Sequence, residues 1–474
     1  MTITEFEKAL KKALEHIPTP GQERAILSMS EFCVKKEADR VFLLTGYAGT
    51  GKSTLIGGLV RTLDQFKRSS VLMAPTGRAA KVISQYSNRE AFTIHRKIYV
   101  PRSQKGGGIK FTLQTNKHRN TLFIVDEASM VPDTNTDSKV FEGQSLLDDL
   151  MTYVYSGPGC QLMFVGDLAQ LPPVHLSISP ALDPDVLRIQ FHKSVSESAL
   201  TEVVRQREQG EIVSNATQIR QWIQQDTPEQ LQFDLGRQEE VIRPFGGQEV
   251  LEALEGAFSK DNIDQAVVIV RSNKRANLYN QQIRQRILFR DEGLCVGDVL
   301  MVVKNNYFWL KPADSAGFIA NGDVIEVLEI FEFVFIHGFD FAKVRVRMLD
   351  YPNQLPFNTV LILDTINSEA SSLTYEQSNA LYQAVREDYK EITANYKKFL
   401  AIKKDPFFNA LQVKYSYAIT CHKSQGGQWD RVFVEQPFLK EGINKEYLRW
   451  LYTAMTRAKN QLYLLGFSKE YFDS

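Results

Sequence analysis

Eight consecutive residues, Gly46-Tyr47-Ala48-Gly49-Thr50-Gly51-Lys52-Ser53, fit the pattern G-x-x-x-x-G-K-[ST]. Glycines at these places let a backbone curl until successive N–H groups converge on phosphate oxygens. Lys52 offers a point charge to the β- and γ-phosphates and Ser53 a hydroxyl to Mg2+. A helix opening at Thr54 adds its positive end. Gly46, Gly49, Thr50, Gly51, Lys52, Ser53 and Thr54 are therefore the candidate phosphate-binding set. A second cluster, Val125-Asp126-Glu127-Ala128, closes an apolar run. Its adjacent carboxylates can divide the labour: Asp126, with Ser53, serves Mg2+, and Glu127 polarises the attacking water. Together the two clusters imply a nucleoside triphosphatase but do not say what hydrolysis drives.

The elements that must position these groups are legible as apolar runs. Val41–Leu44, Val71–Ala74, Thr121–Val125 and Leu162–Val165 are short, apolar and separated mostly by helical stretches. That is the pattern of a parallel sheet covered on both faces, with ligands at the carboxyl ends of its strands. Ile3, Phe6, Leu10, Ala13, Leu14 and Ile17 recur at helical spacing, with Thr4 and Glu7 as a capping box and Pro18 and Pro20 as the stop. Further helices are expected over Glu23–Val34 and Thr54–Leu63. Runs on either side of Gly106-Gly107-Gly108 predict a β-hairpin over 98–117. A second α/β pattern follows residue 200, with strand runs at Val267–Val270, Val432–Val434 and Leu462–Leu465. Between them Val299–Val303, Val324–Ile330, Phe331–Ile336 and Val344–Met348 read as a small β-domain, then Leu373–Ile402 as helix. Gly297-Asp298, Asn305 and Asn321-Gly322-Asp323 read there as turn residues.

The 474 residues carry 56 Lys+Arg against 56 Asp+Glu, so the chain is not coated in basic charge. The distribution is uneven: Gln65–Val125 holds twelve basic residues and one acid, Glu90, and Arg271–Arg290 holds six basic residues and none. Basic patches on a neutral body suit a protein that grips an anion locally, and equally a set of solvated faces. No apolar run nears the roughly 20 residues of a membrane span. The first residues lack the pattern of a secretory signal. Cys33, Cys160, Cys295 and Cys421 lie far apart, which fits a reducing, cytoplasmic setting without disulfides or a zinc ribbon.

Across nearly the whole chain, segments appear in the order found in superfamily 1 helicases, and most resemble the RecD/Dda-like branch with its UvrD-like C-terminal helicase domain. Pro18-Thr19-Pro20-Gly21-Gln22 resembles the Q-motif, Ala74-Pro75-Thr76-Gly77-Arg78-Ala79-Ala80 motif Ia, and Phe92-Thr93-Ile94-His95 the adjoining nucleic-acid contact. Val165–Val174 resembles motif III, Leu200–Gln206 motif IV, Ala418–Gly427 motif V and Leu451–Lys459 motif VI. The resemblance implies an α/β fold of two RecA-like P-loop domains with parallel sheets. A β-hairpin is inserted in the first, and a small β-barrel plus helical segment in the second. The expected boundaries are 1–200, 201–296 with 411–474, and 297–410 for the insert.

The resemblance further implies Gln22 at the adenine edge, Gln170 sensing the γ-phosphate, and Arg205 and Arg457 as arginine fingers. Thr76, Thr93, His95, Thr420, His422, Lys423 and Ser424 become candidate strand contacts. Tyr99, Phe111 and Trp309 are possible stacking platforms or wedges, each with core packing as the plain alternative. The implied activity is ATP- and Mg2+-dependent movement, 5′ to 3′, on single-stranded DNA, with separation of tailed duplex DNA. The expected form is a monomer away from membranes, with possible partners among repair, recombination or replication proteins. The alternatives are a protein-displacing translocase, a subunit that needs a partner to unwind, and an RNA-directed motor.

Overall fold

Val41–Leu44 is apolar on both sides because its strand, Arg40–Gly46, is covered on both faces. The computed structural model describes residues 2–14, 16–35, 37, 39–103, 109–134, 145–202, 210–225, 231–236, 240–259, 263–290, 293–311, 314, 316, 318–351 and 353–472. Among the described residues, Arg40–Gly46 lies between Gln161–Gly166 and Ser194–Leu200 in a six-stranded sheet. Leu122–Val125, Ser70–Ala74 and Ala91–Thr93 extend the sheet from Gln161–Gly166, and every pairing is parallel. Phe42, Leu44, Ile124 and Val165 meet the helices Ile3–Ala13, Pro20–Val34 and Lys52–Gln65 on one face. Leu43, Phe123 and Phe164 meet Leu146–Tyr155 on the other. Each such side chain stabilises the unit by about 1.5–3 kcal/mol relative to exposure.

Two local expectations shift. The first helix is capped by Thr2 and Glu5 rather than Thr4 and Glu7. Both pairs have the same spacing, but the earlier one sets the helix at Ile3–Ala13 with Phe6 and Leu10 buried. Pro18 and Pro20 do not stop the first helix, which ends at Ala13 with Leu14 as its cap and leaves Ile17 exposed; Pro20 instead opens Pro20–Val34, where its missing N–H costs nothing.

The second unit is a parallel sheet in the order Ala418–Thr420, Ala266–Val270, Trp429–Glu435, Ala458–Leu465, Val241–Ile242. Between its parts sits a closed barrel of Val299–Val302, Val324–Ile336, Phe339–Met348, Phe357–Ile362 and Leu411–Tyr415. The two runs expected at 324–330 and 331–336 are one strand interrupted by register shifts. Leu411–Tyr415 closes the barrel by pairing parallel to Phe357–Ile362 and antiparallel to Val299–Val302. The insert therefore runs to Tyr415, past the expected boundary at 410. The helices Tyr375–Asp388 and Asn395–Ile402 precede that strand and pack Leu381, Val385 and Ile402 against Phe341 and Ile362 of the barrel.

The hairpin is present as Tyr99–Ser103 paired with Ile109–Leu113, Phe111 opposite Pro101. Its Gly106-Gly107-Gly108 tip lies outside the described residues. Among the described residues no helix is long and apolar enough to cross a membrane.

Candidate active site and nucleic-acid interface

The phosphate-binding set sits between the end of Arg40–Gly46 and the start of Lys52–Gln65. Gly51 caps that helix at φ +84°, a left-handed backbone that a side chain would strain. Lys52 Nζ donates to the carbonyls of Gly46 at 2.6 Å and Tyr47 at 2.9 Å, so its charge stays inside the loop. Thr50 is buried and its hydroxyl donates to Tyr47 O. Gly49 takes φ +80°, and Ser53 and Thr54 stand half-buried in the first helical turn. Gln22 is fully buried. Its Nε2 donates to Thr50 O at 3.1 Å, and its Oε1 accepts from Thr19 N as the second half of a capping box. Both ends of the amide tether the loop, so contact with an adenine edge requires exchanging one of these bonds.

Asp126 and Glu127 follow directly from Leu122–Val125, the strand beside Gln161–Gly166. Asp126 Oδ1 accepts from Glu127 N at 2.9 Å. Burial, and then the neighbouring Glu127 charge, push the Asp126 carboxyl up to about 7 against the pull of Lys52. Glu127 takes φ +50°, a left-handed turn uncommon for a residue with a side chain, which swings it away from the strand direction. A carboxylate at the end of this strand, within electrostatic reach of Lys52, is the kind of hard-oxygen donor that Mg2+ favours. Gln170 is buried with its Oε1 unpartnered, a polar group available to a ligand in this cleft.

The second α/β unit grips this loop at two points. Tyr47 carries the Arg220 guanidinium 4.0 Å from its ring centre and is hydrogen-bonded by Gln224, both from the helix Glu211–Gln224. Ala48 N–H donates to the Tyr452 hydroxyl at 3.1 Å, and Tyr452 lies on Lys445–Met455. The motif III loop is docked on the same helix, where Leu171 N donates to Thr453 Oγ1 at 2.9 Å. Gln425 Nε2 donates to Leu171 O. Arg457 is buried within its own unit, bonded to Thr453 O at 3.0 Å, Thr456 Oγ1 at 3.0 Å and Gly427 O at 3.4 Å. Arg205 lies outside the described residues. Sequence reasoning missed Tyr452, Arg220 and Gln224. Tyr452 had a signal, five residues before Arg457 in the same motif, whereas Arg220 and Gln224 sit on an ordinary amphipathic helix.

The motif Ia helix, Gly77–Ser87, is capped by Thr76, whose hydroxyl accepts from Ala79 N. A Cβ on Gly77 would sit 1.9 Å from Ala320 Cβ of the barrel, so only glycine allows that approach. Lys81 pairs with Asp323, and the Arg78 guanidinium lies 4.6 Å from the Trp429 ring centre. First unit, barrel and second unit thus converge on this helix. Asp323 and Asp298 are more than turn residues: Asp298 is fully buried and takes Arg284 at 3.0 Å, Arg290 at 2.9 Å and Tyr417.

Of the expected strand contacts, Thr93 and Ser424 are fully buried. Their hydroxyls serve Arg96 N and Cys421 O, so they shape loops. His95 is half-buried with its ring 5.8 Å from that of Tyr99. Thr420 and Lys423 line a small pocket with Asn273, Asn280 and Lys414. Lys423 Nζ is buried there with no partner, and burial, then Lys414, hold it down at about 8. Burial also lowers His422. Tyr99 donates to Asp149, Trp309 donates to Asn409 O, and Phe111 packs on the first unit's core, so all three serve packing.

A model of the AAA domain matches residues 19–237, and a UvrD-like helicase C-terminal domain matches 415–465. The ATP-dependent DNA helicase dda of Enterobacteria phage T4 is 24% identical over 466 residues, 94% of this chain and 98% of that protein. The ATP-dependent RecD2 DNA helicase of Deinococcus radiodurans is 30% identical over 178 residues, 37% of this chain and 21% of that one. The Pif1 helicase from Bacteroides, in a crystal structure with ADP-AlF3 and single-stranded DNA, shares the fold at a TM-score of 0.52 and 15% identity, over 97% of this chain and 95% of that one. With a phosphate-binding loop held against a second parallel unit and a barrel set into that unit, the chain is similar along nearly its whole length to superfamily 1 helicases of the RecD/Dda-like branch.

Proposed function

We propose that this protein is an ATP-dependent DNA helicase that moves 5′ to 3′ on single-stranded DNA and separates tailed duplexes. One observation carries the reading. The second unit and its barrel hold the first unit at both the phosphate-binding loop, through Tyr452 and Arg220, and the motif Ia helix, through Trp429 and Asp323. A change in the cleft at one place is then a change in the strand path at the other, which is how hydrolysis becomes motion.

In this reading Lys52 balances phosphate charge, Ser53 and Asp126 hold Mg2+, Glu127 orients the attacking water and Gln170 reads the γ-phosphate. Mg2+ supplies charge neutralisation on the phosphates when bound. Arg457, once it exchanges Thr453 O and Gly427 O for phosphate oxygens, acts as a finger, with Arg205 as a second. Thr76, His95, Thr420, His422 and Lys423 bind the strand through phosphates, without reading sequence.

The test is ATP hydrolysis by the purified chain with single-stranded DNA, single-stranded RNA or blunt duplex, then unwinding of 5′- and 3′-tailed duplexes. The expected result is stimulation by single-stranded DNA and unwinding from the 5′ tail. Hydrolysis indifferent to every nucleic acid sinks the helicase reading. Stimulation with protein displacement but little unwinding favours a translocase.

A further inference from the structure

Arg449, Tyr452 and Thr453 recur at helical spacing on Lys445–Met455, so they share one face. That face lies along the first unit's motif III loop and the segment after it. Arg449 reaches Ser177 O, Tyr452 reaches Asp167, and Thr453 takes the N–H of Leu171. Tyr452 does one thing more. Its hydroxyl donates to Asp167 Oδ2 at 2.9 Å and accepts from Ala48 N–H at 3.1 Å, so a single oxygen joins two first-unit segments.

Asp167 is the organiser of the loop it begins. It is fully buried, its Oδ1 accepts from Ala169 N at 2.9 Å, and its carbonyl accepts from Gln170 N at 3.3 Å. Gln170, with its unpartnered Oε1, therefore takes its place from Asp167. We propose that Tyr452 is a positioning residue of the ATPase centre: through Asp167 its hydroxyl locks the Gln170 loop to the phosphate-binding loop, so that the two segments move as one. The inference rests on the helicase reading above and adds a residue to it. Burial, with Asp167 beside it, holds the Tyr452 hydroxyl far above its ordinary titration range, so it remains a donor throughout the working pH range. Phenylalanine would fill the same space and lose both bonds.

The experiment is a double-mutant cycle on steady-state ATP hydrolysis by the full chain, with Tyr452→Phe and Gln170→Ala singly and together. Tyr452→Phe is expected to lower kcat by about tenfold, with a smaller rise in KM for ATP, because one lost bond places a group that acts after binding and the other is a contact to the phosphate-binding loop. In the Gln170→Ala background the same change should alter kcat by less than about twofold. Equal fold-losses in both backgrounds, or a raised KM with kcat unchanged, would overturn the assignment. Should Tyr452→Phe fail to fold, Asp167→Asn leaves one oxygen for two donors, Ala169 N–H and the Tyr452 hydroxyl, and so weakens the joint from the other side. It must reproduce the kcat loss and its disappearance in the Gln170→Ala background. Basal and DNA-stimulated hydrolysis both report on the cycle. A wild type without stimulation would thus overturn the helicase reading while the cycle still decides Tyr452.

Discussion

Lys81 of the motif Ia helix and Asp323 of the barrel form an ion pair in which the carboxylate is 1% exposed and the ammonium 11%. Burial drives Lys81 down and Asp323 up, both towards neutrality, and each is opposed by its partner. Asp323 also accepts Ala320 N at 2.8 Å, which shapes the turn that presses on Gly77. Asp323→Ala takes from a buried ammonium its hydrogen-bonded carboxylate, leaving the more distant Asp350 charge and the Tyr351 ring, and should cost about 3 kcal/mol. Adding Lys81→Met should recover most of the loss. Urea unfolding midpoints of the two variants check this, and coincident midpoints would show that the pair is not the joint between first unit and barrel.

Lys52→Ala should lower ATP hydrolysis by at least about a hundredfold, since on the proposed reading it removes the charge that would meet the phosphates. The fold should survive. The two carbonyls that Lys52 now serves belong to a loop also held by Gln22, Gln224 and Tyr452. Far-UV circular dichroism beside a hydrolysis assay separates the effects, and wild-type hydrolysis by the variant would remove Lys52 from the site.

DNA affinity should fall as pH rises through about 8. The Lys423 and Lys414 ammonium groups are both held down at about 8 by burial, and Lys414 further opposes charge on Lys423. A backbone phosphate favours the charged forms, so below about pH 8 the attraction is fully present and above it binding must take up protons. Titrating labelled single strands without nucleotide from about pH 7 to about pH 9 should show a smaller loss in Lys423→Met than in wild type. Equal losses would place the strand elsewhere.

Arg220→Ala should raise KM for ATP several-fold and leave single-strand affinity unchanged. The guanidinium lies over the Tyr47 ring, a contact worth about 1 kcal/mol or more when desolvated, and Tyr47 is part of the phosphate-binding loop. Hydrolysis at graded ATP concentrations measures it. An unchanged KM would mean that the loop keeps its shape without this clamp.

What the sequence made legible was what residue type encodes locally. The loop Gly46–Ser53 needs glycines and a lysine in one short stretch, and strands buried on both faces must be apolar throughout, as in Arg40–Gly46 and Ala266–Val270. What stayed hidden depends on partners remote in the chain. Asp298 and Asp323 look like turn residues until Arg284, Arg290 and Lys81 arrive around them. Leu411–Tyr415 is buried at every position and reads like a strand of the second sheet, yet it closes the barrel. Gln22 carries the right identity for reading a base, and only the fold reveals that both ends of its amide are already engaged.

The order of strands also sets an order of birth. The first sheet has its last strand once Leu200 has left the ribosome, and every pairing it needs is then available. The barrel waits for Leu411–Tyr415, and the second sheet for three strands beyond it. Until those arrive, Ala266–Val270 has neither of its neighbours and Val241–Ile242 has no partner. During synthesis the first unit matures alone, while the barrel strands can pair with one another but stay unclosed and the early strands of the second sheet wait unpaired. A chain that stops short of Ala458–Leu465 lacks the strand that joins Trp429–Glu435 to Val241–Ile242, and so loses the middle of a domain rather than its edge.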